Sequence, residues 1–148
     1  MALKKQEFYE GAALHVIART GAVRGIEYDP PFFLFNDRLY VLFKYCARTR
    51  SPWGFTFTPD EQVTIHERAV KSDTVIALIC GSDGVAALSY ASFLPIGRPR
   101  QTAIHISCCR RHGEYYGLSG PDGTLSKKVS PSTWQNIFEQ VGSEHETL

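Results

Sequence analysis

The chain has 148 residues, of which 43% are hydrophobic and 21% are charged, and its formal net charge is +1. This composition is that of one globular domain with a continuous core, and it excludes a disordered chain and a polycationic nucleic-acid coat. No segment approaches the roughly 20 apolar residues of a membrane span, and the N-terminus does not read as a signal peptide. We therefore expect a cytoplasmic protein with no membrane partner.

Along the chain, we expect a single domain over residues 1–148, with a core over 3–90, a C-terminal extension over 100–141 and a frayed tail over 142–148. Sequence motifs of several common enzyme classes are absent. There is no Gly-rich phosphate loop, no GxSxG elbow and no HExxH. The four cysteines include no CxxC pair, which indicates packed, reduced thiols and neither a disulfide framework nor a zinc site.

The first predicted element is a helix over residues 3–19. Leu3, Ala13, Leu14 and Ile17 fall on one stripe at helical spacing. Glu10 lies within this stripe, so its carboxylate is directed toward the protein. The alternative is a glutamate at the edge of the stripe whose carboxylate reaches water.

Strands are predicted next at residues 23–28, 32–35 and 38–46, and Asn36-Asp37 forms a two-residue hairpin turn between the second and third. If Phe35 faces Arg38, the ladder places Asp29 opposite Lys44. Lys44 is then a lone cation in a strand that otherwise reads as core.

The second helix is predicted from Thr58, which acts as N-cap with Glu61 closing a capping box, to about Lys71. Residues 74–80, TVIALIC, have no polar alternation and indicate a strand buried on both faces. Further short strands should follow in VAALSY, QTAIHISCC, EYYGL and TLSKKV, and a last short helix should begin at residues 130–132. The fold class is α+β, with a mixed sheet flanked by helices and a C-terminal antiparallel extension.

The order of helix, three strands, helix and strand resembles the core of the PD-(D/E)XK nuclease superfamily, which has the restriction-endonuclease-like fold. The resemblance covers about residues 3–90 and implies that Glu10, Asp29 and Lys44 are catalytic residues. It also implies that Glu10 and Asp29 hold Mg²⁺ and that the substrate is DNA or RNA. Hydrolysis of a phosphodiester in this family uses hard oxygen ligands around the metal ion.

One position departs from the family pattern. The triplet that ends in Lys44 begins with Leu42, where the family has an acid. Glu27 could replace the missing metal ligand, because it lies two residues from Asp29 and projects from the same face of an extended chain. The motif is therefore degenerate, and the chain is either a metal-dependent nuclease or a relative that binds nucleic acid.

A second interpretation remains open for the same charges. Lys44 could be a strand lysine in a structural ion pair, in a non-catalytic protein-interaction module or a homodimer subunit. Arginine pairs in loops are candidate phosphate contacts in the first interpretation and solubilising surface charges in the second. The pairs selected as nucleic-acid-binding residues are Arg48 with Arg50, and Arg98 with Arg100.

Overall fold

A computed structural model of the protein describes residues 2–139, and the predicted frayed tail lies outside them. The helices are α1 (Lys5–Ala18), α2 (Pro59–Ala69) and α3 (Tyr90–Phe93). The strands are β1 (Ile26–Asp29), β2 (Phe32–Phe35), β3 (Leu39–Cys46), β4 (Trp53–Phe57), β5 (Thr74–Cys80), β6 (Gly84–Ser89), β7 (Ile104–Cys109), β8 (Gly117–Gly120) and β9 (Gly123–Thr124). None of the helices within residues 2–139 is long and apolar enough to cross a membrane.

Five strands form a mixed sheet in the order β1-β2-β3-β5-β6. Strands β3 and β5 are parallel, and the other neighbouring pairs are antiparallel. All seven residues of β5 are buried, as the uninterrupted apolar run predicts. The predicted α+β class with a mixed sheet is confirmed, as are the first helix and the position of β5 beside β3.

The hairpin between β2 and β3 has the predicted turn but a different register. Asn36 and Asp37 both have φ of 54°, and the Arg38 N–H donates to the Phe35 carbonyl at 3.0 Å, which is a type I′ turn. Arg38 is an additional residue on the β3 side, so Phe35 pairs with Leu39. The predicted pairing of Phe35 with Arg38 is wrong by one residue.

The predicted pairing of Asp29 with Lys44 is also wrong. The chain turns at Pro30-Pro31, and Asp29 pairs with Phe32 across that turn. Asp29 therefore belongs to β1, the outermost strand, and β2 lies between it and the strand that carries Lys44.

Strand β4 leaves the mixed sheet and begins a second, antiparallel sheet in the order β4-β7-β8-β9. Its side chains alternate between buried and exposed, so Trp53, Phe55 and Phe57 face the core. The C-terminal meander is shorter than predicted. Only β9 and a single bridge between Tyr116 and Val129 represent the strand expected at TLSKKV.

The mixed sheet has a separate apolar core on each face. On one face, Leu42 and its alternate neighbours in β3 pack with α2 and the second sheet. On the other face, Val41 and Phe43 pack with Ala13 and Ile17 of α1 and with the segment around Trp134. Residues 131–136 of that segment form turns, and the helical residues that the structure describes start at 137, so the last helix begins later than predicted. Leu3 lies before α1 and is 65% exposed, so it does not extend the predicted stripe.

Candidate functional site

Lys44 lies in an ion pair. Its Nζ donates to Glu61 Oε2 at 2.8 Å and lies 5.1 Å from the centre of the Phe57 ring. The lysine side chain is 21% exposed and the glutamate 36% exposed, so the pair is at the rim of the core rather than inside it. The charge of Lys44 is therefore neutralised by a carboxylate from α2.

Glu61 is positioned by the start of that helix. Thr58 is the N-cap, its hydroxyl accepts from the Glu61 N–H, and Glu61 Oε1 accepts from the Thr58 N–H. Partial burial would raise the pKa of Glu61, but the hydrogen bonds from Lys44 and Thr58 outweigh it and hold the pKa below its usual value. The sequence identifies this glutamate as a cap, but nothing in the sequence pattern links it to a strand lysine 17 residues earlier.

Asp29 and Glu27 lie on the outermost strand. The Asp29 carboxylate is 3.8 Å from the Arg68 guanidinium, which also stacks on Tyr40 at 4.3 Å. Two strand spacings, about 10 Å, separate the backbone of Asp29 from that of β3. Glu27 is exposed and has no ion-pair partner among residues 2–139. Lys44 and Asp29 thus have different partners on α2, Glu61 and Arg68.

Glu10 lies on α1, which packs on the other face of the mixed sheet. The helix contacts the odd-numbered residues of β3. One such contact is the stacking of the Tyr9 and Tyr45 rings, whose centres are 4.9 Å apart. The Glu10 carboxylate accepts a hydrogen bond from Gln6 at 2.7 Å. Partial burial raises its pKa, as the stripe position predicts. The structure does not bring Glu10 to the face that carries Lys44.

The residues do not fit a shared Mg²⁺ ion. Leu42, at the position where the family has an acid, is 4% exposed and belongs to the core between the two sheets. Within residues 2–139, no three His, Cys, Asp or Glu side chains are grouped in a way that could hold a metal ion. A metal ion needs several converging oxygen ligands, and Glu10, Asp29 and Glu27 do not converge.

The two predicted arginine pairs lie at opposite ends of the second sheet. Strand β4 runs antiparallel to β7, with Trp53 beside Cys108 at one end and Phe57 beside Ile104 at the other. The loop after β3, residues 47–52, lies at the first end, and the loop before β7, residues 97–103, lies at the second. Arg48 and Arg50 thus do not share a surface with Arg98 and Arg100.

At the second end, the contacts are made by the Arg100 side chain and the Arg98 backbone. The Arg100 guanidinium is paired with Asp122, and its backbone N–H donates to Gln62 Oε1 at 2.8 Å. The Arg98 backbone N–H donates to Asp122 at 2.7 Å. These contacts give Arg100 a structural role in joining the loop to α2 and to the β8-β9 turn.

The first end carries arginines without carboxylate partners. Ser51 Oγ donates to the Arg110 carbonyl at 3.2 Å, which joins the loop after β3 to the loop after β7. Arg48, Arg50 and Arg111 are exposed on these two loops, and none of their side chains forms an ion pair with another residue of 2–139. We call these three residues the arginine cluster. It holds three positive charges on adjoining loops.

Asp83 lies in the turn between β5 and β6 and joins that turn to the same end of the second sheet. Its carboxylate accepts from the Tyr116 hydroxyl at 2.6 Å and pairs with Arg110 at 2.9 Å. Partial burial would raise the pKa of Asp83, but these two hydrogen bonds outweigh it and hold the pKa below its usual value. Arg110 is thereby neutralised, whereas its neighbour Arg111 forms no ion pair with another residue of 2–139.

We expect Lys44→Met to lower the free energy of unfolding by only about 1 kcal/mol, because a rim ion pair and one contact with an aromatic ring are lost. The methionine stem keeps the packing on Phe57. Urea denaturation of Lys44→Met, Glu61→Gln and the double variant measures the coupling energy. A coupling near zero would contradict an energetically significant pair.

We expect Asp83→Asn to weaken the acid dependence of stability. The pKa of Asp83 is lowered by folding, so its ionised form stabilises the protein above the unfolded pKa, and this contribution is lost as the pH falls through the folded value. The free energy of unfolding should therefore fall less in the variant than in the wild type between about pH 5 and pH 2. If the free energy of unfolding fell equally with pH in the two proteins, the hydrogen bonds from Arg110 and Tyr116 would not stabilise the ionised form of Asp83.

No protein family, curated protein or solved structure matches the chain.

Proposed function

We propose that the chain is a nuclease-like domain that binds nucleic acid without cleaving it. The arginine cluster is the contact surface, and the phosphate backbone is the ligand. The observation that carries this proposal is the set of three exposed arginines, Arg48, Arg50 and Arg111, on loops that contact each other. Unpaired arginines on one surface bind phosphates without reading base sequence.

The order of the elements supports a restriction-endonuclease-like core. Helix α1 precedes the antiparallel strands β1, β2 and β3, and α2 leads to β5, which lies parallel to β3. Strand β4 is inserted between β3 and α2 and joins the second sheet. The proposed relationship is one of element order, with the second sheet as an addition to the core.

The surroundings of Lys44 support binding without hydrolysis. A catalytic lysine must meet the phosphate or the attacking water, but Lys44 contacts Glu61 at 2.8 Å. The acids that would hold Mg²⁺ lie on another strand and on the other face of the sheet. Lys44 and Asp29 therefore serve as structural charges.

We expect Arg48→Ser combined with Arg50→Ser to weaken binding of a fluorescein-labelled DNA duplex by about tenfold or more at low salt, because two of three phosphate contacts are removed. Fluorescence anisotropy measures the affinity. Arg24→Ser is the matched control, since Arg24 is exposed but lies in the loop before β1. Equal affinities for the double variant and the control would contradict the proposal.

Incubation with Mg²⁺ or Mn²⁺ tests the second half of the proposal. The wild type should leave single-stranded and duplex DNA and RNA intact. Metal-dependent cleavage that is lost in Lys44→Met would instead identify a working nuclease.

The alternative function is a non-catalytic protein-interaction module. The ion pairs of Lys44 with Glu61 and of Asp29 with Arg68 favour it, since both tie strand charges to α2 and serve the fold. A folded wild type that binds no DNA or RNA at low salt would select this alternative.

A further inference from the structure

The outer edge of the mixed sheet is formed by β1, and no strand within residues 2–139 pairs with its outer side. The Asn36 N–H donates to the Gly25 carbonyl at 2.8 Å, which makes this a hydrogen-bonded pair at the start of the β1-β2 ladder. Hydrogen-bonded and non-hydrogen-bonded pairs alternate along an antiparallel ladder. The backbone groups of Glu27 and Asp29 therefore point toward β2, and those of Ile26 and Tyr28 point away from the sheet.

The two faces of β1 carry different kinds of side chain, apolar or aromatic on one and acidic on the other. Ile26 is 45% exposed and Tyr28 is 64% exposed, and the Tyr28 ring lies 5.0 Å from Phe33 on the face that carries α1. Glu27 and Asp29 project from the other face. Asp29 is paired with Arg68, whereas Glu27 has no ion-pair partner within residues 2–139. Edge strands are commonly protected by short length, charged side chains, proline or a covering segment. β1 is four residues long and Pro30 follows it, but Ile26 and Tyr28 are exposed apolar side chains on this edge.

We infer that β1 is a docking edge for an extended segment of a partner protein in which apolar and basic residues alternate. The segment adds a strand to the sheet by pairing with the outward backbone groups of Ile26 and Tyr28. Its apolar side chains cover those two residues, and a lysine or arginine on the other face pairs with Glu27. Strand addition of this kind gives affinity through the backbone and specificity through alternate side chains.

Charge disfavours two competing occupants. In a twofold antiparallel pairing of two copies that places Ile26 beside Tyr28, Glu27 faces Glu27 of the second copy, and like charges directly opposite each other are destabilising. Residues 140–148 of this chain contain two glutamates, one histidine and no lysine or arginine, so a permanently charged partner for Glu27 must come from elsewhere. The complementary segment is basic and comes from another protein.

The test uses short fluorescein-labelled peptides and anisotropy. A peptide alternating valine and arginine should bind the wild type, and Glu27→Lys should weaken this binding by about tenfold or more. The matched peptide with glutamate in place of arginine should prefer the Glu27→Lys variant. Glu67→Lys, an exposed substitution on α2, is the control and should bind as the wild type does.

Several results would overturn the inference. They are equal affinity of the basic peptide for wild type and Glu27→Lys, unchanged affinity when the peptide backbone is N-methylated, and no binding up to about 1 mM. The N-methylated peptide is tested on the wild type alone and needs no variant to fold. A wild-type dimer seen by sedimentation and dissociated by the basic peptide would show that the edge serves a second copy.

Docking at β1 is independent of nucleic-acid binding. The Arg48→Ser, Arg50→Ser double variant should bind the basic peptide as the wild type does, and Glu27→Lys should not weaken binding to the DNA duplex. Each surface can therefore fail its test without affecting the other.

Discussion

Gly81→Ala should lower the free energy of unfolding by at least about 3 kcal/mol. Gly81 follows β5 with φ of 53°, and its N–H donates to the Cys46 carbonyl at 2.8 Å. A Cβ atom at this position would overlap the carbonyl oxygen of Arg48. An alanine at this position would be strained for two reasons. Its backbone would have to adopt the left-handed conformation, and its Cβ would collide with backbone atoms, which cannot rotate away as a side chain can. Urea denaturation measures the loss.

Gly54→Ala is the matched control for Gly81. Gly54 lies in β4, and a Cβ atom there would have no neighbour within 4 Å. Its substitution should change the free energy of unfolding by no more than about 0.5 kcal/mol. A similar loss in both variants would show that the approach of Gly81 to the loop after β3 does not determine stability.

Trp134→Ala should lower the free energy of unfolding by about 3 to 5 kcal/mol. Trp134 is 1% exposed, and its ring lies 5.5 Å from Phe43 and 6.0 Å from Phe35. Its Nε1–H donates to the Ala13 carbonyl at 3.0 Å in the buried interface with α1. The substitution leaves a large cavity and removes one hydrogen bond to the Ala13 carbonyl where the C-terminal segment, α1 and the sheet meet.

Trp134→Phe separates the two contributions to that loss. Phenylalanine keeps most of the apolar contact but cannot donate to Ala13, so its loss should be smaller than that of the alanine variant. Thermal or urea denaturation of both variants measures the difference. If Trp134→Ala lost less than about 1 kcal/mol, the C-terminal segment would not be part of the core.

Local chemistry made several elements predictable from the sequence. The Thr58 cap with Glu61 locates the start of α2, because the capping box satisfies two backbone donors reciprocally. The apolar run of β5 indicates burial on both faces, and the alternation of β4 indicates one buried face. Each of these signals lies within a few neighbouring residues.

Contacts between distant segments were not predictable in the same way. One additional residue, Arg38, moved the hairpin register and with it the expected partner of Lys44. Nothing local indicates that β4 leaves the mixed sheet, or that Glu61 reaches Lys44 across 17 residues. The loop arginines were visible in the sequence, but the pairing of Arg100 with Asp122 and the placement of the two arginine pairs at opposite ends of the second sheet were not.

The salt dependence of DNA binding tests the central claim most directly. Three phosphate contacts should give a slope of log Kobs against log salt of about −2.7 for a duplex, and the Arg48→Ser, Arg50→Ser variant should reduce it to about −0.9. These slopes would identify the arginine cluster as a phosphate-binding surface. A wild-type slope near zero, or a slope that the double substitution leaves unchanged, would contradict nucleic-acid binding at this end of the second sheet.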